Sequence, residues 1–220
     1  MSEDDPFEYR EHYHDNVRSD VIPYVPKSGG TLVDFGGGIG ATAARLKLLG
    51  HADRVGVVDI VQPHDGSQLV DFAHRGDLGD DRFVSGVIAH EGPFNAILCL
   101  DILEHLVDPW RLVRQLHAGL ASGGVIVASI PNVRNFRVSF PLVFMNRWTL
   151  RDSGILDRTH LRFFVRSTAI ELMTHSGLEL DMIAASPDTR RAVTLFRMLT
   201  FGLFNTFTDR QYIIRVRRAD

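Results

Sequence analysis

Short apolar runs alternate along this chain with amphipathic stretches of helical period, and that alternation predicts a sheet covered by helices. The pattern over 8–24 predicts a first amphipathic helix, ended before Pro26 and a Ser28-Gly29-Gly30 turn. Runs at 31–35, 54–58, 94–100 and 125–130 predict strands one, two, four and five. The stretch 60–78 is turn-rich, with a third strand expected near 69–73 after a stub of helix. Helices are predicted over about 40–49, closing at Gly50, and over 79–89. Another starts at Asp108-Pro109, presents Leu112, Val113, Leu116 and Leu120 on one face, and stops at Gly123-Gly124. Thr168-x-x-Glu171 reads as the capping box of a helix ending at Gly177, followed by strands at 178–185 and 209–217. The order is that of a doubly wound α/β sheet.

Composition agrees with one domain spanning 1–220: at 45% apolar, 220 residues can bury one sizeable core. A net charge of −3 offers no basic field for nucleic acid, and the Arg-rich stretch 210–218 reads as the solvated face of a last strand. The single Cys99 lies inside the apolar fourth strand, which excludes a disulfide framework and a thiolate metal cluster. The acidic start lacks an apolar leader, and no run reaches about 18 apolar residues, so a reduced, cytoplasmic setting without a transmembrane segment is expected.

The run Val33-Asp34-Phe35-Gly36-Gly37-Gly38-Ile39-Gly40 joins the first strand to its helix. Glycines there let backbone N–H groups near Gly36, Gly38 and Gly40 approach a ligand at the positive end of a helix. Gly36-x-Gly38-x-x-Ala41 satisfies a dinucleotide fingerprint, while Asp34-x-Gly36-x-Gly38-x-Gly40 suits S-adenosylmethionine (SAM). Asp34 would repel a pyrophosphate but can receive a ligand ammonium. Asp59 ends the second strand 19 residues beyond Gly40, where an acid can grip a ribose diol. Asp77 can accept from an adenine amino group, although Gly76-Asp77 is also a turn dipeptide.

The segment Asp101-Ile102-Leu103-Glu104-His105-Leu106-Val107-Asp108-Pro109 closely resembles the block after the fourth strand in class I SAM-dependent methyltransferases. Ser129-Ile130-Pro131-Asn132-Val133 and Gly154 to Phe164 are similar to a bacterial subgroup associated with glycosyltransferases and glycan biosynthesis. Gly37 departs from that subgroup, which more often has Cys; a smaller residue is compatible with the loop. The resemblance implies a seven-stranded Rossmann-like sheet in the order 3-2-1-4-5-7-6, with strand seven antiparallel. It implies SAM contacts from Asp34, Gly36, Gly38, Gly40, Asp59, Ile60, Asp77, Leu78, Leu100 and Asp101, with S-adenosylhomocysteine as product. From the first helix, Tyr9, Tyr13 or Arg18 would close over the cofactor, Tyr13 being the leading candidate.

Methyl transfer to a hydroxyl needs alignment and a base. His105, near the expected transfer site, and His160, on the lid side, are the candidate bases; each reads equally as a brace of its loop. Arg158 is expected to pair with Asp157 or Asp152. No metal site is expected, because His12-x-His14 on a helix points its imidazoles to different faces and no H-E-x-x-H pattern occurs. Substrate choice is expected from a lid insertion at 131–164 and from 186–208, whose aromatic and Arg-studded character suits a lid, a homodimer surface, a membrane-surface contact or core packing. These features point to O-methylation of a saccharide or glycoconjugate-pathway intermediate. The alternatives are another small-molecule or natural-product acceptor, or a non-catalytic SAM-fold partner of a glycosyltransferase.

Overall fold

A computed structural model describes residues 17–61, 70–187 and 190–219. Its seven strands are β1 (Thr31–Phe35), β2 (Arg54–Asp59), β3 (Phe72–Arg75), β4 (Phe94–Leu100), β5 (Leu120–Pro131), β6 (Glu179–Pro187) and β7 (Asp209–Arg217). They form one sheet in the order β3-β2-β1-β4-β5-β7-β6. β1 through β5 pair in parallel, while β7 runs antiparallel to both β5 and β6.

Helices α1 (Ala41–Leu48), α2 (Asp81–Glu91), α3 (Pro109–Gly119) and α5 (Arg166–Thr174) cover the two faces. Strand alternation divides the core accordingly. Val33, Phe35, Ile97, Cys99, Ile126 and Ala128 pack with Val84, Leu112, Leu116 and Leu172 on one side. Leu32, Val55, Leu98, Leu100 and Val127 pack with Ala43 and Leu46 of α1 on the other.

Several boundaries differ from the sequence expectation for local reasons. Within the predicted helix 8–24, the described part is a turn followed by one 3₁₀ turn, Ile22–Tyr24. Pro23 sits in that stretch, lacks an N–H and would clash with the carbonyl four residues back, so an α-helix cannot continue. β3 lies at 72–75 rather than 69–73, and the helix stub expected before it falls mostly outside the described residues. The third helix stops at Gly119, because Leu120 pairs with Phe94 and the strand register then shifts to Ala96 opposite Val125. Thr168 is not an N-cap: it lies at the third helical position of α5, where its hydroxyl accepts from the N–H of Val165.

The insertion after β5 leaves the sheet through Asn132 and returns at Phe164. Asn132 and Asn135 are fully buried, and their side-chain amides donate to the carbonyl of Asp209 at 3.0 and 2.9 Å. Those bonds root the insertion on the start of β7. Beyond them, α4 (Phe136–Met145) exposes Phe140, Val143, Phe144 and Met145, and α6 (Arg191–Leu199) exposes Leu195, Met198 and Leu199. Both pack on the short α7 (Asn205–Thr208), so these side chains are surface and not core.

Candidate functional site

Three of the predicted acids meet at the carboxyl ends of adjacent strands. Asp34 is near the end of β1, Asp59 ends β2 and Asp101 follows β4, with β1 between the other two. The winding direction reverses here, which leaves a crevice outside the strand ends. Alternation puts Asp34 on the same face as Leu32, under α1, and leaves it 1% exposed. Its Oδ1 has no hydrogen-bond partner. Burial, and then the nearby Asp59, push its pKa up to about 7 against the opposing pull of Arg18.

The glycine loop works differently from the amide cradle expected of it. Gly36 N–H donates to Val58 O at 2.7 Å and Gly40 N–H to Gly37 O at 2.9 Å. Gly38 N–H donates to Asp59 Oδ2 at 2.7 Å. All three donors are therefore taken within the protein, because the loop folds back against β2. The glycines are needed for space and backbone angle instead. A Cβ would lie 2.7 Å from Ile102 at Gly36, 2.6 Å from Asp34 Cγ at Gly37 and 2.7 Å from Val70 at Gly40. The φ of Gly36 and Gly40 is +83°. At Gly37 the small residue is thus demanded by the Asp34 carboxyl, beyond being merely compatible.

Asp101 holds an unusual backbone, φ +53°, that Asp tolerates better than most residues. Its Oδ1 accepts from Ser129 Oγ at 2.8 Å, and its N–H donates to the same oxygen at 3.0 Å. Arg18 pairs with Asp101 and with both oxygens of Asp20. Burial opposes the Arg18 charge, but Asp20 and Asp101 outweigh it and hold its pKa above the ordinary value. Arg18 thus does reach the crevice from the N-terminal segment, whereas Tyr13 lies outside the described residues.

Leu100 is buried at the end of β4, and Ile60 is exposed just after β2. Asp77 is exposed and turns its Oδ1 onto Gly79 N–H at 2.7 Å, which is the turn role weighed for it, and Leu78 is buried against the core. Among the described residues no hydrogen bond ties Asp77 to Asp34, Asp59 or Asp101.

The turn Leu103–His105 starts a second cluster. Glu104 is 1% exposed, and neither carboxyl oxygen has a hydrogen-bond partner. Burial, then Asp101, raise its pKa well above the carboxylate range. The insertion packs against it: Leu161 and Arg162 donate their N–H groups to the Glu104 carbonyl at 2.8 and 3.0 Å. This brings His160 Nε2 to 3.9 Å from Glu104 Oε1 and stacks its ring edge-on to His105, centroids 4.7 Å apart.

Second partners fix both imidazoles. His160 Nδ1 lies 3.1 Å from Ile155 O, so Nδ1 carries a proton and donates it to that carbonyl. Thr159 gives its hydroxyl proton to Asp157 at 2.6 Å; its oxygen, 3.1 Å from His105 Nδ1, can then only accept. His105 is thereby also protonated on Nδ1 and bare on Nε2. Burial, then His160, lower the His105 pKa, which favours this neutral form. Arg158 pairs with Asp152 at 2.8 Å, as expected, and away from this cluster. The sequence hinted at Thr159 and Asp157 only through their nearness to His160, and nothing local marked Glu104 as an unpartnered carboxyl.

Comparisons with known proteins agree with this fold. The family model described as "Methyltransferase domain" matches residues 8–182. A ubiquinone biosynthesis O-methyltransferase of Caulobacter vibrioides is 27% identical over 114 residues, covering 49% of this chain and 43% of that protein. The chain thus matches less than half the length of that curated relative. A SAM-dependent methyltransferase from Archaeoglobus fulgidus superposes with TM-score 0.62 at 16% identity, covering 90% of both chains. Magnesium protoporphyrin IX methyltransferase from Synechocystis, solved with bound S-adenosylhomocysteine, gives 0.59 at 12% identity, covering 91% of this chain and 81% of that one.

Proposed function

The chain belongs to the methyltransferase-domain family, and we propose that it is a SAM-dependent methyltransferase acting on a hydroxyl of a saccharide or glycoconjugate-pathway intermediate. The supporting observation is the pair of adjacent imidazoles, His105 on the turn after β4 and His160 on the insertion, each with its Nδ1 already engaged in a hydrogen bond. Such a group takes a proton from a hydroxyl, a task worth about 10²–10⁴-fold in rate and unneeded by an amine already unprotonated.

The residues present fit the cofactor. Asp34 has a buried oxygen without a donor, suited to a cationic partner. Asp59 accepts one backbone N–H on each oxygen, which leaves lone pairs for a diol. Arg18, Asp101 and Ser129 form a rigid wall beside them. SAM supplies an electrophilic methyl on its sulfonium. The chain's own task is to hold the acceptor oxygen in line with that methyl and remove its proton. Positioning alone is worth about 7–11 kcal/mol. His105 and His160 are the proposed bases, the second carried by the insertion proposed as a lid.

The exposed apolar faces of α4 and α6, flanked by Arg137, Arg147 and Arg191, support an acceptor with a lipid portion reached at an anionic membrane surface. A second reading, a phenolic small molecule, is favoured by the ubiquinone-pathway relative. The test is transfer of labelled methyl from SAM to lipid-linked saccharides and to hydroxylated aromatic rings, with His105→Ala and His160→Ala compared at saturating SAM. Label recovered on nitrogen or carbon, or a loss under tenfold in both variants, overturns the reading.

A further inference from the structure

We infer that Glu104, His105 and His160 form a binding site for one divalent transition-metal cation, of the Zn²⁺ or Mn²⁺ class, whose remaining coordination position takes the acceptor oxygen. This goes beyond the sequence expectation of no metal and deepens the hydroxyl-methylation reading on which its last clause rests.

Four observations converge. One ligand atom from each of the three residues lies within 4.8 Å of the other two. Glu104 is 1% exposed with both oxygens unpartnered, and the 3.9 Å to His160 Nε2 is too long for a hydrogen bond. Two buried carboxyl oxygens without a partner leave room for a cation, and the Arg18 guanidinium is already held by Asp20 and Asp101. Each imidazole also gives its other N–H to a fixed acceptor: His160 to Ile155 O, and His105 to Thr159, itself anchored on Asp157. Metal-bound histidines use this outer arrangement, a carbonyl or a carboxylate-linked partner on the far nitrogen, to hold tautomer and ring orientation.

The donor set selects the ion. Two imidazoles and one carboxylate suit Zn²⁺, Mn²⁺ or Fe²⁺ and leave positions open, whereas Ca²⁺ and Mg²⁺ prefer sites built from oxygen. Bond lengths of about 2.0–2.2 Å put ligand atoms about 3.0–3.5 Å apart. Small side-chain rotations of the lid-borne His160 toward Glu104 supply that contraction. Three protein ligands with an open position are the arrangement of reactive rather than purely structural zinc sites.

With the site filled, the acceptor oxygen binds the cation and its O–H proton leaves to water. That oxygen then forms a C–O bond to the methyl as the C–S bond breaks, and the sulfonium leaves as a neutral thioether. Acidification by the cation then replaces the proton transfer to His105 or His160 proposed for the ion-free protein, because their Nε2 atoms are ligands once the ion is bound.

The test uses the full chain, stripped with a chelator and titrated with MnCl₂ or ZnCl₂ by calorimetry, with electron paramagnetic resonance reporting the Mn²⁺ environment. Wild type is expected to bind one ion per chain. Glu104→Gln, isosteric and uncharged, should lose at least about 100-fold in affinity, and Thr159→Val about 10–100-fold through the tautomer it holds. SAM affinity in chelator should stay within about twofold of that in metal. No binding of either ion at millimolar concentration, or equal binding by wild type and Glu104→Gln, overturns the site. Stoichiometric binding lost in Glu104→Gln upholds it even if hydroxyl acceptors prove unmethylated, which would count against the acceptor reading alone.

Discussion

Replacing Asp34 with Asn should make the ligand-free protein more stable and a poorer SAM binder. The carboxyl is 1% exposed, one oxygen lacks a partner, and its pKa is raised from 3.8 to about 7, first by burial and then by Asp59. Since the folded value exceeds the unfolded one, the folded state keeps a proton the unfolded chain has released between those limits. Stability from this group is therefore fully present below about pH 4, falls as pH rises to about 7, and is flat above. The interval from 3.8 to about 7 corresponds to a loss on the order of 4 kcal/mol at pH 8. Asn has the same shape and no charge to desolvate. Its melting temperature at pH 8 should exceed that of wild type by about 8–16 °C, at 2–4 °C per kcal/mol for a chain of this size, with the gap closing toward pH 4. A carboxylate that accepts a charged donor is worth about 1.5–3 kcal/mol, so SAM affinity should fall about 10- to 150-fold. Calorimetry in buffers of different ionisation enthalpy should also show wild type, but not the variant, releasing a proton on binding SAM near pH 6. An unchanged gap in melting temperature between pH 4 and pH 8, or wild-type SAM affinity in the variant, refutes the reasoning.

Gly37→Ala places a Cβ 2.6 Å from the Asp34 carboxyl carbon, so thermal unfolding should show a loss of about 1–3 kcal/mol together with weaker SAM binding; a neutral result would mean that Asp34 can move freely. Asn132→Ala removes donors to Thr206 O and Asp209 O and an acceptor for Arg134 N–H. Leaving those buried groups unpaired should cost about 1–3 kcal/mol in denaturant titration and raise the KM for the acceptor as the insertion loosens. Phe144→Glu changes an exposed side chain of α4; it should keep stability within about 0.5 kcal/mol while abolishing co-flotation with vesicles containing anionic lipid. Persistent flotation would remove the membrane-surface role of that face.

The sequence by itself determined the strands and their helices, because apolar periodicity and the turn residues between runs act within a few positions of each other. β1, β4 and β7 lie where the pattern put them, and acids appear at the ends of β1 and β2 because no core position would otherwise retain them. The resemblance carried by the Asp101–Pro109 block extended that to the strand order. Only the tertiary structure decided what each polar group meets. The loop glycines spend their amides on Val58 and Asp59, which depends on β2 lying beside β1. Glu104 lacks a partner and His160 arrives next to it because the insertion returns from Asn132 to Phe164 across the turn after β4. Pairings between groups distant in the chain follow from how the sheet and the insertion pack, and a linear pattern carries no trace of which oxygen packing leaves without a donor.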